Sequence, residues 1–120
     1  MTADLPVFLR ARLMEDQEIA ADAAVAGWDR DAVDEGNPVA RHVVRHGPAR
    51  VLADAAARRR LVDMILAYEA KIDGEWGCLH GAKEIEEGRC PETNPDEIEA
   101  LRLLAVAYDG HPDYREEWRP

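Results

Sequence analysis

His46-Gly-Pro-Ala-Arg-Val-Leu-Ala-Asp-Ala-Ala-Ala-Arg-Arg-Arg-Leu-Val-Asp-Met-Ile-Leu-Ala-Tyr-Glu-Ala-Lys-Ile72 is the longest uninterrupted helical pattern in the chain. Gly47 and Pro48 open it, since proline has no N–H to lose in the first turn and its φ is already helical. Ala, Leu, Arg, Met and Glu dominate the residues after Pro48, and all give up little rotamer freedom in a helix. Asp54 and Arg58 stand four apart, within reach of each other along the surface. Asp73-Gly74 supplies the stop. The first half sets Val51, Leu52, Ala55 and Val62 to one side, whereas Leu61, Ile65, Leu66, Tyr68 and Ile72 spread over a wider arc. A helix apolar over so much of its circumference touches neighbours on more than one side.

Two further helices flank this spine. Asp4 is placed as an N-cap, with Leu5 and Pro6 in the first turn of a helix reaching about residue 26. Winding it at about 100° per residue puts Leu5, Phe8, Leu9, Leu13, Ile19 and Ala20, with Ala23 and Ala24, on one face. Arg12 and Asp16 fall on that same face, and the central helix turns Arg59 towards an apolar side. The expectation is a polar contact of Arg12, Asp16 and Arg59 at the edge of the core, setting register rather than doing chemistry. Near the other end, Asn94-Pro-Asp-Glu97 reads as a helix start: an N-cap, Pro at N1 and Glu at N3. Ile98, Leu101, Leu104, Ala105 and Tyr108 share a face, and Gly110 closes a helix of about residues 95–109. In the tail beyond it, Tyr114 and Trp118 are expected to fold back, because their rings would be costly to leave in water.

The connections are less regular. Asp29 to Pro38 is acidic and rich in turn formers, hence a loop. Val39 to Val44 alternates weakly and reads as a short strand. Pro48 restrains the residue before it from the α region, which argues against His42 and His46 sharing a helical face. The fold expected is therefore mainly α: one domain over residues 1–120, a small three-helix bundle with an irregular loop before the last helix.

That loop carries the main chemical candidate. Cys78 and His80, then Cys90, sit among Gly74, Gly77, Gly81 and Gly88. Two thiolates and an imidazole suit a tetrahedral zinc ion, in a structural rather than a catalytic site. The fourth ligand comes from elsewhere in the chain: His111, His42, His46 or a carboxylate such as Glu92. The other candidate is Arg58-Arg-Arg60, because guanidinium groups bind oxyanions in bidentate fashion. Three consecutive helical residues fan over about 200°, however, so they do not all face one ligand.

The chain holds 25 Asp and Glu against 15 Lys and Arg, a formal net charge of −10. That charge disfavours nonspecific nucleic-acid binding. It is unevenly spread: residues 41–60 contain six arginines and one acidic residue, while fifteen acidic residues lie beyond residue 60. There is no serine, so serine nucleophiles are excluded. No Walker loop, Gly-x-Gly-x-x-Gly or His-Glu-x-x-His motif is present. No run approaches the length of a membrane span, and two cysteines without a signal-peptide pattern point to a reduced, cytoplasmic setting.

Three stretches carry a resemblance to a known family. They are Phe8-Leu-Arg-Ala-Arg-Leu-Met-Glu-Asp16, then Arg41-His-Val-Val-Arg-His-Gly-Pro-Ala-Arg-Val-Leu52 with Arg58-Arg-Arg60, and the ending Leu101-Arg-Leu-Leu-Ala-Val-Ala-Tyr-Asp-Gly-His-Pro-Asp-Tyr-Arg-Glu-Glu-Trp-Arg-Pro120. Together they resemble a family of small uncharacterised proteins of actinobacteria and their phages, known only as a domain of unknown function. The resemblance implies a short cysteine-containing insert before the last helix, here Cys78 and Cys90. In the family pattern the last cysteine directly precedes the Leu-Arg-Leu-Leu segment; here Pro91 to Ala100 intervenes. The functional expectation is a small binding or regulatory module with a protein partner, stabilised by zinc and dimeric through an exposed part of helix one or two. The alternative is a phage-type inhibitor or nucleic-acid mimic using its acidic surface. A metal-dependent enzyme at Cys78, His80 and Cys90 ranks third.

Overall fold

The computed structural model describes residues 4–27, 36–75 and 80–120, with backbone only at 73–75. Among these residues there are five α-helices and no strand: α1 Asp4–Val25, α2 Pro38–Arg45, α3 Pro48–Glu75, α4 Ala82–Glu86 and α5 Glu99–Ala105. Short 3-10 turns at Pro95–Glu97, Val106–Tyr108 and Glu116–Trp118 complete the set. The chain divides into two compact units, Met1–Arg12 with Arg58–Pro120, and Leu13–Ala57.

The larger unit has the denser core. Leu5 and Leu9 of α1, Val62 and Leu66 of α3, Ile85 of α4 and Leu101 of α5 are all buried. Arg10 ties three of these helices together at their rim. Its Nε donates to Glu86 Oε1 of α4 at 2.7 Å, and its Nη2 donates to Asp63 Oδ1 of α3 at 2.7 Å. α4 forms where sequence reasoning leaves Lys83–Glu87 in a loop. Glu84 reaches back to accept the Gly81 N–H at 2.9 Å, which satisfies one orphan donor of the first turn.

The last helix is shorter than expected. Asn94 does cap its start, accepting the Asp96 N–H at 3.0 Å. The turn then stops at Ile98, which is extended, and α5 begins anew at Glu99. The cause is local: Arg102 Nε donates to the Asp96 carbonyl at 2.7 Å, so that oxygen is taken by a side chain. Trp118 folds back as expected, at 1% exposure.

In the smaller unit, α2 replaces the expected strand. Asn37 accepts the Val39 N–H at 2.8 Å and Pro38 occupies the first turn, the same Asn-Pro start that is read correctly at Asn94-Pro95. Val39 and Val43, four apart, are the helical repeat within what looks like alternation. The core here is thin: Leu13, Ala20 and Ala55 are buried, while Ile19 and Ala24, both expected inside, are exposed. No residue of α2 is buried.

Candidate functional site

Phe8 is the hub of the larger unit's chemistry. The rings of Trp118, His111, Tyr114 and Tyr108 surround it, with centroids 5.1, 5.6, 6.0 and 6.4 Å away. Beneath them lies the buried carboxylate of Asp96. Its Oδ1 accepts the Leu5 backbone N–H at 2.9 Å, and its Oδ2 accepts Trp118 Nε1–H at 3.3 Å. The guanidinium of Arg12 sits 5.3 Å over the Phe8 ring, with Nη1 3.1 Å from His111 Nδ1. The Asp113 backbone N–H also points at that Nδ1, at 3.0 Å. Two donors converging on one ring nitrogen make it an acceptor, so the His111 proton resides on Nε2. At the open edge, Arg115 pairs with Asp4 at 2.7 Å and lies over Trp118. A cleft of about 450 Å³ runs between α1 and the tail. Its charged groups offset one another in pairs, an arrangement that fastens the tail to α1.

This geometry bears on the zinc expectation. Cys78 lies outside the described residues. Cys90 is fully buried and His80 is half-buried. Among the described residues no three His, Cys, Asp or Glu side chains gather as a metal site, so His80, Cys90 and His111 do not converge.

The residues of the arginine run and of the expected polar contact differ in exposure. Arg12 is half-buried against Phe8 and His111, and Asp16 is half-buried in the smaller unit. Arg59 is exposed, and Arg12, Asp16 and Arg59 each have an interaction of their own. Winding α3 explains the exposure: Arg59 falls just past the buried arc of Ala55, Val62 and Leu66. Arg58 is half-buried and Arg60 exposed.

The outer side of α3 shows what the sequence does not announce. Leu61, Met64 and Tyr68 are 44%, 61% and 64% exposed. They occupy positions i, i+3 and i+7, within roughly 60° of arc, on the side away from Val62 and Leu66. Arg60 and Lys71 line one flank of this stripe. Both are exposed, and neither has an ion-pair partner among the described residues.

In the smaller unit, His42 and His46 do share a helical side, with ring centroids 4.6 Å apart. Partial desolvation, together with the charges of Arg50, His42 and Arg45, holds the His46 imidazole below its ordinary value. His46 stands at the rim of a cleft of about 390 Å³ with largely apolar walls.

Residues 2–120 match a family described only as one of unknown function, DUF6221. The chain belongs to that family. No curated protein and no solved structure matches it. The DUF6221 match takes in both compact units, so neither is an addition to the family's own domain. No helix among the described residues is long and apolar enough to cross a membrane.

Of the features that sequence reasoning passes over, the α3 stripe is open to detection. Leu61 and Tyr68 belong to the broad apolar arc of α3, but Met64 is left out of it, and the exposed part of helix one or two expected to take a partner is not located. Asp96 reads only as part of a helix start. Nothing in its neighbours marks it as the acceptor for Leu5 and Trp118.

Proposed function

We propose that the protein is a cytoplasmic binding module that engages another protein through the outer face of α3. The single observation that carries this is the exposed run of Leu61, Met64 and Tyr68 on a helix whose opposite side is already buried. Apolar side chains at i, i+3 and i+7 form the seam along which a helix pairs with a partner helix or enters a groove. The flank specifies the occupant. Arg60 and Lys71 are cations without ion pairs among the described residues, so the complementary surface is apolar at its centre and acidic along one edge. A second copy fits poorly. In an antiparallel two-fold pairing each flank meets its own equivalent, setting Arg60 and Lys71 against the same two cations.

The test uses a photo-crosslinking amino acid in place of Tyr68, and separately in place of the exposed Glu117. A product formed from position 68 and absent from position 117 identifies the partner. With that partner purified, Met64→Asp and Lys71→Glu should each weaken binding at least tenfold while leaving the melting temperature within about 2 °C, since both side chains are exposed. Equal crosslinking from both positions, crosslinking only to a second copy, or affinity unchanged in Met64→Asp would overturn the reading.

A second reading, the phage-type inhibitor or nucleic-acid mimic, draws support from one place in the larger unit. Glu69, Glu92, Glu97 and Glu99 surround a cleft of about 400 Å³. Four carboxylates around one cleft suit a basic partner, and affinity lost in Glu97→Lys but kept in Met64→Asp would select this reading.

A further inference from the structure

We infer that the cleft formed within residues 13–57 binds a small amphiphilic anion: an apolar tail with one carboxylate or phosphate head. The walls supply the first half of the argument. Ile19, Ala20 and Ala23 of α1 face Val43 of α2 and Val51 of α3 across a space of about 390 Å³. That volume falls in the range of clefts that hold small organic ligands, and such clefts are typically apolar with a few placed polar groups. Ile19 and Val43 remain substantially exposed, so apolar surface is left open in the unit with the thinner core.

Charge supplies the second half. His46 lines the cleft, and the charges of Arg50 and Arg45 act on it from outside the cleft's walls; neither arginine has an ion-pair partner among the described residues. In a chain of net charge −10, two guanidiniums without ion pairs among the described residues, beside two imidazoles tilted against each other, are a local excess of one sign. His46 is held below its ordinary value first by desolvation and then by the charges of Arg50, His42 and Arg45, and an anionic head would offset the second of these. Asp16 and Asp54 are the acidic groups close by. Asp16 lines the cleft and Asp54 acts on His46, but each already has an interaction of its own. The head is therefore placed beside His46, in the field of Arg45 and Arg50, with the tail along Val43, Val51 and Ile19. A nucleic acid would use the cations and leave the apolar walls idle. A membrane surface would use the walls, but α2 offers it only eight residues.

The test is a titration of the isotopically labelled full chain with decanoate and with decyl phosphate, below their micelle concentrations, against 1-decanol and acetate. Saturable binding of decanoate or decyl phosphate is expected, at least tenfold tighter than decanol or acetate. Amide shifts should centre on Ile19, Ala23, Val43 and Val51, and the tighter of the two ligands identifies the head. Arg45→Glu with Arg50→Glu should weaken binding at least tenfold; both side chains are exposed, and an unchanged melting curve confirms that the fold is kept. Equal affinity for decanol, shifts centred elsewhere, or an unaffected double variant would overturn the inference. So would binding seen only with phosphatidylglycerol vesicles, which would assign the patch to a membrane surface.

Discussion

The carboxylate of Asp96 accepts the backbone N–H of Leu5 at 2.9 Å, joining residues 91 positions apart. Leu5 is in the first turn of α1, where N–H groups have no partner within the helix. Asp96 thus caps α1 from a distant part of the chain, with a negative charge at the positive end of the helix dipole. Its second oxygen holds Trp118, so one buried side chain fixes the start of α1 and the tail together.

Asp96→Ala is expected to destabilise the protein by about 3 kcal/mol, because two buried N–H donors lose a charged acceptor. Asp96→Asn should cost about half as much: its carbonyl can serve Leu5, but its NH2 then meets the Trp118 donor. Urea unfolding of the three proteins checks the order. Equal stability of wild type and Asp96→Ala would show that water replaces the carboxylate without loss.

Trp118→Ala should cost roughly 3–5 kcal/mol, as for other large-to-small changes of buried aromatic residues. Trp118→Phe keeps a ring against Phe8 but loses part of the buried ring volume and the bond to Asp96, for about 2–3 kcal/mol. Deleting residues 114–120 should lower the melting temperature at least as far as Trp118→Ala. A truncated protein that melts with the wild type would show that the tail contributes nothing to the core.

His46 should titrate below its ordinary value of 6.5. The folded form disfavours the charged imidazole, so stability falls as the pH drops from above 6.5 towards the lowered value. Arg50→Ala removes one of the repelling charges and should move the midpoint upward. Imidazole proton shifts followed by NMR from about pH 8 to about pH 4, a range spanning the ordinary histidine value, measure both. A midpoint at or above 6.5 in the wild type would contradict the arrangement of charges around this ring.

Long-period features are legible in the sequence, and those depending on distant partners are not. The two long helices show in the spacing of Leu5, Leu9 and Leu13 and in the run after Pro48, because burial of one face writes its period into the chain. Trp118 is placed by its cost in water. The segment 38–45 reads as a strand although Asn37-Pro38 repeats the Asn94-Pro95 start, because three valines in six residues outweigh the cap. The break at Ile98 depends on Arg102 taking the Asp96 carbonyl, a choice no local pattern records. The zinc expectation draws on residue types within one loop, yet His80 and Cys90 do not gather with His111, and Cys78 lies outside the described residues. The α3 stripe is in plain view as composition. Which of two apolar sides faces water is decided by the neighbours.

The distance between Leu5 and Asp96 also has a meaning in time. At roughly 5–20 residues per second of synthesis, about 5–20 s separate the appearance of the first turn of α1 from that of its cap. Trp118, which seals Phe8, is made later still. During that interval Val62, Leu66 and Ile85 appear as a surface for Leu5 and Leu9, while the start of α1 stays uncapped. The start of α1 is thus secured only once Asp96 is made, and the ring cluster around Phe8 closes only when Trp118 follows it.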